Sequence, residues 1–167
     1  MIKRVFICYG DHRFKRHLSR IREEALSLNR FDNIFTETNL TIEKHSIFQN
    51  ALQNNYFKQT YLSPRGGGYW IWKPFVVFKT LQEMNDGDVL LYADAGCKLI
   101  NTSNTALKMN EYETKVCDSE SGVLGFRNPC IESMWTKGDA FSYFNLEKKS
   151  EVYSSRQFTA NRFLIQK

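Results

Sequence analysis

An α/β domain whose central sheet, largely parallel or mixed, is flanked by helices is predicted by three features of this sequence. Apolar runs alternate with helical periodicities along the chain, the pattern of strands threaded between helical layers. One run, Val89-Leu90-Leu91-Tyr92-Ala93, is apolar on both faces and belongs in the middle of a sheet covered on each side. A length of 167 residues with 42% apolar content suits one domain that buries a core without metal or disulfide staples.

Val5 to Tyr9 is a compact apolar run stopped by Gly10-Asp11, a buried first strand ending at a turn. Phe14, Leu18, Ile21, Ala25 and Leu28 recur at alternating steps of four and three. A helix follows from that spacing, with this stripe inward and Lys15, Arg16, Arg22 and Glu23 in water. Asn33 to Thr38 reads as a second strand. From Ile47 to Phe57 a weaker periodicity predicts a helix with Phe48, Leu52 and Tyr56 on one face. Ser63 to Gly68 contains a proline and three successive glycines, which defeat helix and strand alike, so a loop is expected. Pro74 suits the first turn of a helix reaching Met84, because its missing N–H is an orphan there anyway. Val77, Leu81 and Met84 form the inner stripe of that helix. Asn85 to Asp88 is the turn before the Val89–Ala93 strand. Beyond it, Gly122 to Phe126 reads as a strand, Lys137 to Phe144 as a short helix, and the stretch from Gln157 as a final helix or strand.

Lysine and arginine total 23 against 18 acids, a net charge of +5 that favours anionic partners: phosphate esters, nucleic acid or an acidic membrane surface. The basic residues are dispersed, densest from Lys15 to Arg22 on an ordinary amphipathic helix, without an RNP-like or helix-turn-helix pattern. A nucleic-acid-binding module is therefore the weakest reading. Cys8, Cys97, Cys117 and Cys130 form no CxxC pair and have no metal-like spacing with His12, His17 or His45, which points to reduced thiols. The apolar run near the start is too short for a signal-peptide core or a membrane span, so a cytoplasmic location, free or peripheral to the membrane, is expected.

In open α/β sheets, ligands gather outside the carboxyl ends of the central strands, and Asp94 leaves the Val89–Ala93 strand there. A carboxylate in that place can hold a divalent cation that takes the two phosphates of a nucleoside diphosphate; it can equally cap whatever follows. Shortly before that strand lies Arg65-Gly66-Gly67-Gly68-Tyr69-Trp70-Ile71-Trp72-Lys73-Pro74. Its glycines let backbone N–H groups approach phosphate oxygens, Arg65 and Lys73 supply charge, and a helix start follows. The segment has neither a Walker ending nor GxGxxG, and a flexible hairpin with core tryptophans is as good a reading.

The block Gly68-Tyr69-Trp70-Ile71-Trp72-Lys73-Pro74, followed by Gly87-Asp88-Val89-Leu90-Leu91-Tyr92-Ala93-Asp94-Ala95-Gly96-Cys97, resembles a group of bacterial and viral GT-A glycosyltransferases found among capsule and surface-polysaccharide enzymes. Trp135-Thr136-Lys137-Gly138-Asp139-Ala140-Phe141 and Ser155-Arg156-Gln157 resemble later segments of the same group. The resemblance implies a Rossmann-like GT-A three-layer fold with a mostly parallel central sheet. It also implies transfer of a sugar from a nucleotide-diphosphate donor to a glycan, lipid-linked or other hydroxyl acceptor. Asp94 matches the first acid of the group's DxD motif, near ribose and metal, whereas the position of the second acid is Gly96. Two alternatives follow: Asp94 and waters hold Mn²⁺ or Mg²⁺, or Arg65 and Lys73 take over charge neutralisation.

Tyr9, Gly10 and Asp11 follow the first strand, where such folds receive base and ribose; the ring suits stacking and the carboxylate a ribose hydroxyl, and a simple turn is an equal alternative. Asp139 is the candidate general base, with helix capping as its alternative. Trp70 and Trp72 would share one face if extended, more often as core than as a sugar platform. Members of the group continue past the glutamine region, whereas this chain stops at Phe163-Leu164-Ile165-Gln166-Lys167. Residues 1–167 are therefore expected to form a single nucleotide-sugar-binding domain, truncated at its C-terminus or naturally minimal. A non-catalytic nucleotide-sugar or carbohydrate binder of the same fold is the main alternative to an enzyme.

Overall fold

The computed structural model describes residues 2–146 and 150–167. The first apolar run is strand β1 (Arg4–Tyr9), followed by a 3-10 turn (His12–Phe14), helix α1 (Lys15–Ser27) and strand β2 (Asn33–Glu37). Four short helical segments come next: α2 (Asn39–Ile42), α3 (Ser46–Ala51), α4 (Asn55–Tyr61) and α5 (Gly66–Tyr69). Helix α6 (Trp72–Glu83) leads into β3 (Val89–Ala93), and α7 (Thr105–Cys117) into β4 (Val123–Ile131). Three further short helices, α8 (Glu132–Trp135), α9 (Gly138–Tyr143) and α10 (Glu151–Ser154), precede β5 (Arg156–Gln166).

The strands form one sheet in the order β2-β1-β3-β5-β4. β1 runs parallel to both β2 and β3, whereas β5 runs antiparallel to both β3 and β4. The sheet is thus mixed rather than mostly parallel. Helix α7 carries the chain from β3 to β4 as a crossover, and β5 fills the gap between them.

Alternate residues of the central strands sort into two apolar layers, which is why those strands are apolar throughout. Phe6, Cys8, Val89, Leu91 and Ala93 pack with Leu18, Ile21 and Ala25 of α1 and Val116 of α7. Val5, Ile7, Tyr9, Leu90 and Tyr92 pack with Ile42, Phe48, Trp72 and Val76 on the other face. In register, Ala93 opposes Arg162 and Val89 opposes Gln166, so the first residues of β5 run past the carboxyl end of β3.

Several elements differ from expectation for local reasons. The expected helix from Ile47 to Phe57 is divided, because the Asn54 side chain accepts from Phe57 N at 3.0 Å and caps a new start. Phe57 and Tyr61 consequently pack edge-on against Phe48, and Tyr56 points into solvent, 80% exposed. In α6 the buried face is centred on Trp72, Val76 and Thr80, with Val77 and Leu81 at its margin and Met84 buried. Among the described residues no helix is long and apolar enough to cross a membrane.

Candidate functional site

Asp94 is held where β3 ends. Its N–H donates to Asn161 O at 2.8 Å, and its carbonyl accepts from Cys97 N at 2.8 Å. The loop that follows is pinned from α1: the Arg20 guanidinium donates to Ala95 O at 2.9 Å and to Cys97 O at 2.8 Å. Glu24 pairs with Arg20 at 2.7 Å and accepts from Leu99 N at 2.9 Å. Ala95 is buried, while Gly96 is exposed, and a Cβ placed on it would meet nothing within 4 Å.

The Asp94 carboxylate meets two donors at one oxygen. Lys73, in the first turn of α6, brings its ammonium to 2.9 Å from Oδ1, and the Tyr92 hydroxyl donates to the same oxygen at 2.5 Å. Burial first, and the Asp94 charge second, push the Tyr92 phenol far above its ordinary range, so it stays protonated as a donor. Lys73 also donates to Ala160 O at 2.8 Å and lies 5.0 Å from the Tyr92 ring centre. With side chains 14% and 32% exposed, Lys73 and Asp94 form an oriented, half-sheltered ion pair at the carboxyl end of the middle strand.

The glycine segment folds into a left-handed turn rather than an open loop. Gly66, Gly67, Gly68, Tyr69 and Trp70 all have positive φ, between 51° and 89°, and Tyr69 N and Trp70 N bond to Arg65 O and Gly66 O. A Cβ at Gly68 would lie 2.6 Å from Tyr61 backbone atoms, so only glycine fits there. The reversal separates the two tryptophans. Trp72 turns inward, stacks on Tyr9 with ring centres 3.8 Å apart, and donates Nε1–H to Gly66 O at 3.1 Å. Trp70 turns outward and stays 48% exposed.

Two clefts meet at Asp94 and Trp70, which line both. The first, about 700 Å³, is bounded by the Gly10-Asp11 turn, Arg13, His17, Gly66-Gly67 and Gly96. The second, about 1000 Å³, takes Arg65, Lys73 and Lys137 from its charged wall and Trp135 from α8. Its floor is the overhanging part of β5, where alternate residues Gln157, Thr159 and Asn161 face the cleft. Arg65 and Lys137 flank the Tyr69 ring, 5.7 and 5.9 Å from its centre.

The structure thus brings Asp94 and Lys73 together and sets Arg65 on the second cleft. Gly10 and Asp11 line the first cleft. Gly10 has no room for a side chain, since its Cβ would come within 2.8 Å of Phe14. Arg13 holds the Asp11 carboxyl below the usual carboxylate range through a side-chain hydrogen bond. Tyr9 also lines the first cleft, with Trp72 stacked on its ring and 5% of it exposed. Asp139, in the first turn of α9, lines a separate depression with Ser133 and Thr136 and neither of the clefts that Asp94 lines. Trp135, Lys137 and Gln157 lie in the later motif segments, where the sequence assigns them no site role, and Arg20, Thr159 and Asn161 lie outside every motif. The polar alternation of Gln157, Thr159 and Asn161 along a strand is the available signal.

A Mn²⁺ or Mg²⁺ ion fits these residues poorly: Asp94 is the single carboxylate on the second cleft among the described residues, and its Oδ1 already bears the Lys73 ammonium.

No family model matches the sequence, and no curated protein matches it. Among solved structures, the galactosyltransferase LgtC in complex with donor and acceptor sugar analogues aligns with a TM-score of 0.42 and 12% identity. That alignment covers 97% of this chain and 57% of the other, so the chain spans little more than half the length of that protein.

Proposed function

We propose that this chain binds a nucleoside-diphospho-sugar across the two clefts and transfers the sugar to a hydroxyl acceptor. The observation that carries this is the junction itself: one oriented carboxylate-ammonium pair, Asp94 with Lys73, stands at the carboxyl end of the middle strand where both clefts meet. The nucleoside lies in the first cleft, between Asp11, Gly96 and the outer face of Trp70, with Asp11 accepting from a ribose hydroxyl. The diphosphate crosses the junction, where Lys73 and Arg65 stabilise charge as it leaves. The sugar and acceptor occupy the second cleft, where Trp70 and Trp135 offer apolar faces and Gln157, Thr159 and Asn161 offer hydrogen bonds to hydroxyls. Asp94 fixes Lys73 and faces the reacting sugar, and the proton of the acceptor hydroxyl leaves on the released nucleoside diphosphate.

A glycan or lipid-linked alcohol is the acceptor class. Incubation with UDP-, GDP- and dTDP-sugars, followed by measurement of released nucleoside diphosphate, tests this function. At least one donor is expected to be consumed, and Asp94→Ala is expected to slow consumption about a hundredfold or more. Consumption of none refutes the enzyme. Gly96 in place of a second acid favours one alternative, a binder of nucleotide-sugars without turnover, which would show saturable binding in the same panel and no release.

A further inference from the structure

The resemblance to two-acid transferases implies a divalent metal, yet the junction is built around a different cation. We propose that this site receives a diphosphate without a divalent metal, with the Lys73 ammonium standing in for the ion of a two-acid site; the proposal rests on the nucleotide-sugar reading above. Three observations carry it.

First, the position that would supply a second carboxylate is Gly96, which leaves Asp94 as the single carboxylate on the second cleft among the described residues. Second, Lys73 is fixed rather than mobile: Asp94 Oδ1 at 2.9 Å and Ala160 O at 2.8 Å hold it, against the Tyr92 ring. A cation bound at about 2.0–2.6 Å from the same carboxylate would sit beside that ammonium, and like charges so close in a half-sheltered site repel strongly. Third, Arg65, Lys73 and Lys137 face a single carboxylate on the second cleft, which leaves a surplus of two positive charges to meet a diphosphate. Side chains fixed before the ligand arrives need no ion to be recruited with it.

Isothermal titration of the whole chain with UDP, GDP and dTDP, in EDTA and then in Mn²⁺, tests the proposal. At least one nucleotide is expected to bind with affinities that agree within about threefold between the two buffers. Lys73→Met, checked for folding by circular dichroism, is expected to weaken binding about tenfold or more in both. Binding that disappears in EDTA and returns with Mn²⁺ overturns the metal-free site and leaves the nucleotide-sugar reading standing. Absence of binding in both buffers overturns that reading and the proposal with it. A folded Lys73→Met chain that binds like the parent overturns the role of Lys73.

Discussion

Gly68→Ala is the substitution that most sharply tests how the left-handed turn is built, and Gly67→Ala is its control. Both glycines have positive φ, 89° and 58°, so an alanine at either carries the left-handed cost of about 1–2 kcal/mol. They differ in what the new methyl meets. At Gly67 the nearest atom is Trp72 Nε1 at 3.6 Å, an ordinary contact, whereas at Gly68 it is the Tyr61 backbone at 2.6 Å. Backbone cannot rotate away as a side chain does, and forced overpacking costs about 1–3 kcal/mol. Gly68→Ala should therefore lose about 2 kcal/mol more than Gly67→Ala. At roughly 2–4 °C per kcal/mol for a chain of this size, the gap in melting temperature is about 4–8 °C. Thermal unfolding followed by far-UV circular dichroism measures it, and equal melting temperatures for the two variants would refute the packing of α4 against this turn.

The two tryptophans should behave oppositely. Trp72→Ala, which removes a buried ring stacked on Tyr9, is expected to cost about 3–5 kcal/mol in urea unfolding, while Trp70→Ala costs about 1 kcal/mol or less but weakens nucleotide-sugar binding; the reverse ranking would contradict the assigned orientations. Asp88 accepts from Lys3 N and Asn85 N, and these bonds hold its carboxyl below the ordinary range. Its contribution is present above the unfolded carboxylate pKa of about 3.9 and is lost as pH falls through the lower folded value. The stability gap between parent and Asp88→Asn should accordingly narrow on acidification, and a gap independent of pH would refute the linkage. Gly96→Asp enters open space beside Asp94; nucleotide binding should then respond to Mn²⁺, and indifference to Mn²⁺ would show that the missing acid is not what keeps a metal out.

The parts of this architecture legible in the sequence are those set by local pattern. Val89 to Ala93 reads as a doubly covered strand because every side chain in it is apolar, and Asp94 follows as its carboxyl-end residue. Leu18, Ile21 and Ala25 mark the inner face of α1 in the same way. Strand order is not local: nothing in Arg156 to Gln166 states that it inserts between β3 and β4 and opposes both. The glycine run signals freedom of φ but not that Tyr69 and Trp70 share the left-handed region. Extended backbone would set Trp70 and Trp72 on one face, and the left-handed turn drives them apart. Lys73 and Asp94 meet because Trp72 and Val76 of α6 pack in one apolar layer with Tyr9, Leu90 and Tyr92, which sequence spacing alone does not state.

The most direct measurement is the electron density of a crystal of this protein grown with whichever nucleotide-sugar it binds. The account places the pyrophosphate at the junction within hydrogen-bonding reach of Lys73 Nζ, the nucleoside beside Asp11 and Gly96, and the sugar toward Trp135 and Asn161. Density for the nucleotide in any other depression, such as that between Leu99 and Tyr112, with the Lys73–Asp94 pair untouched, would contradict it.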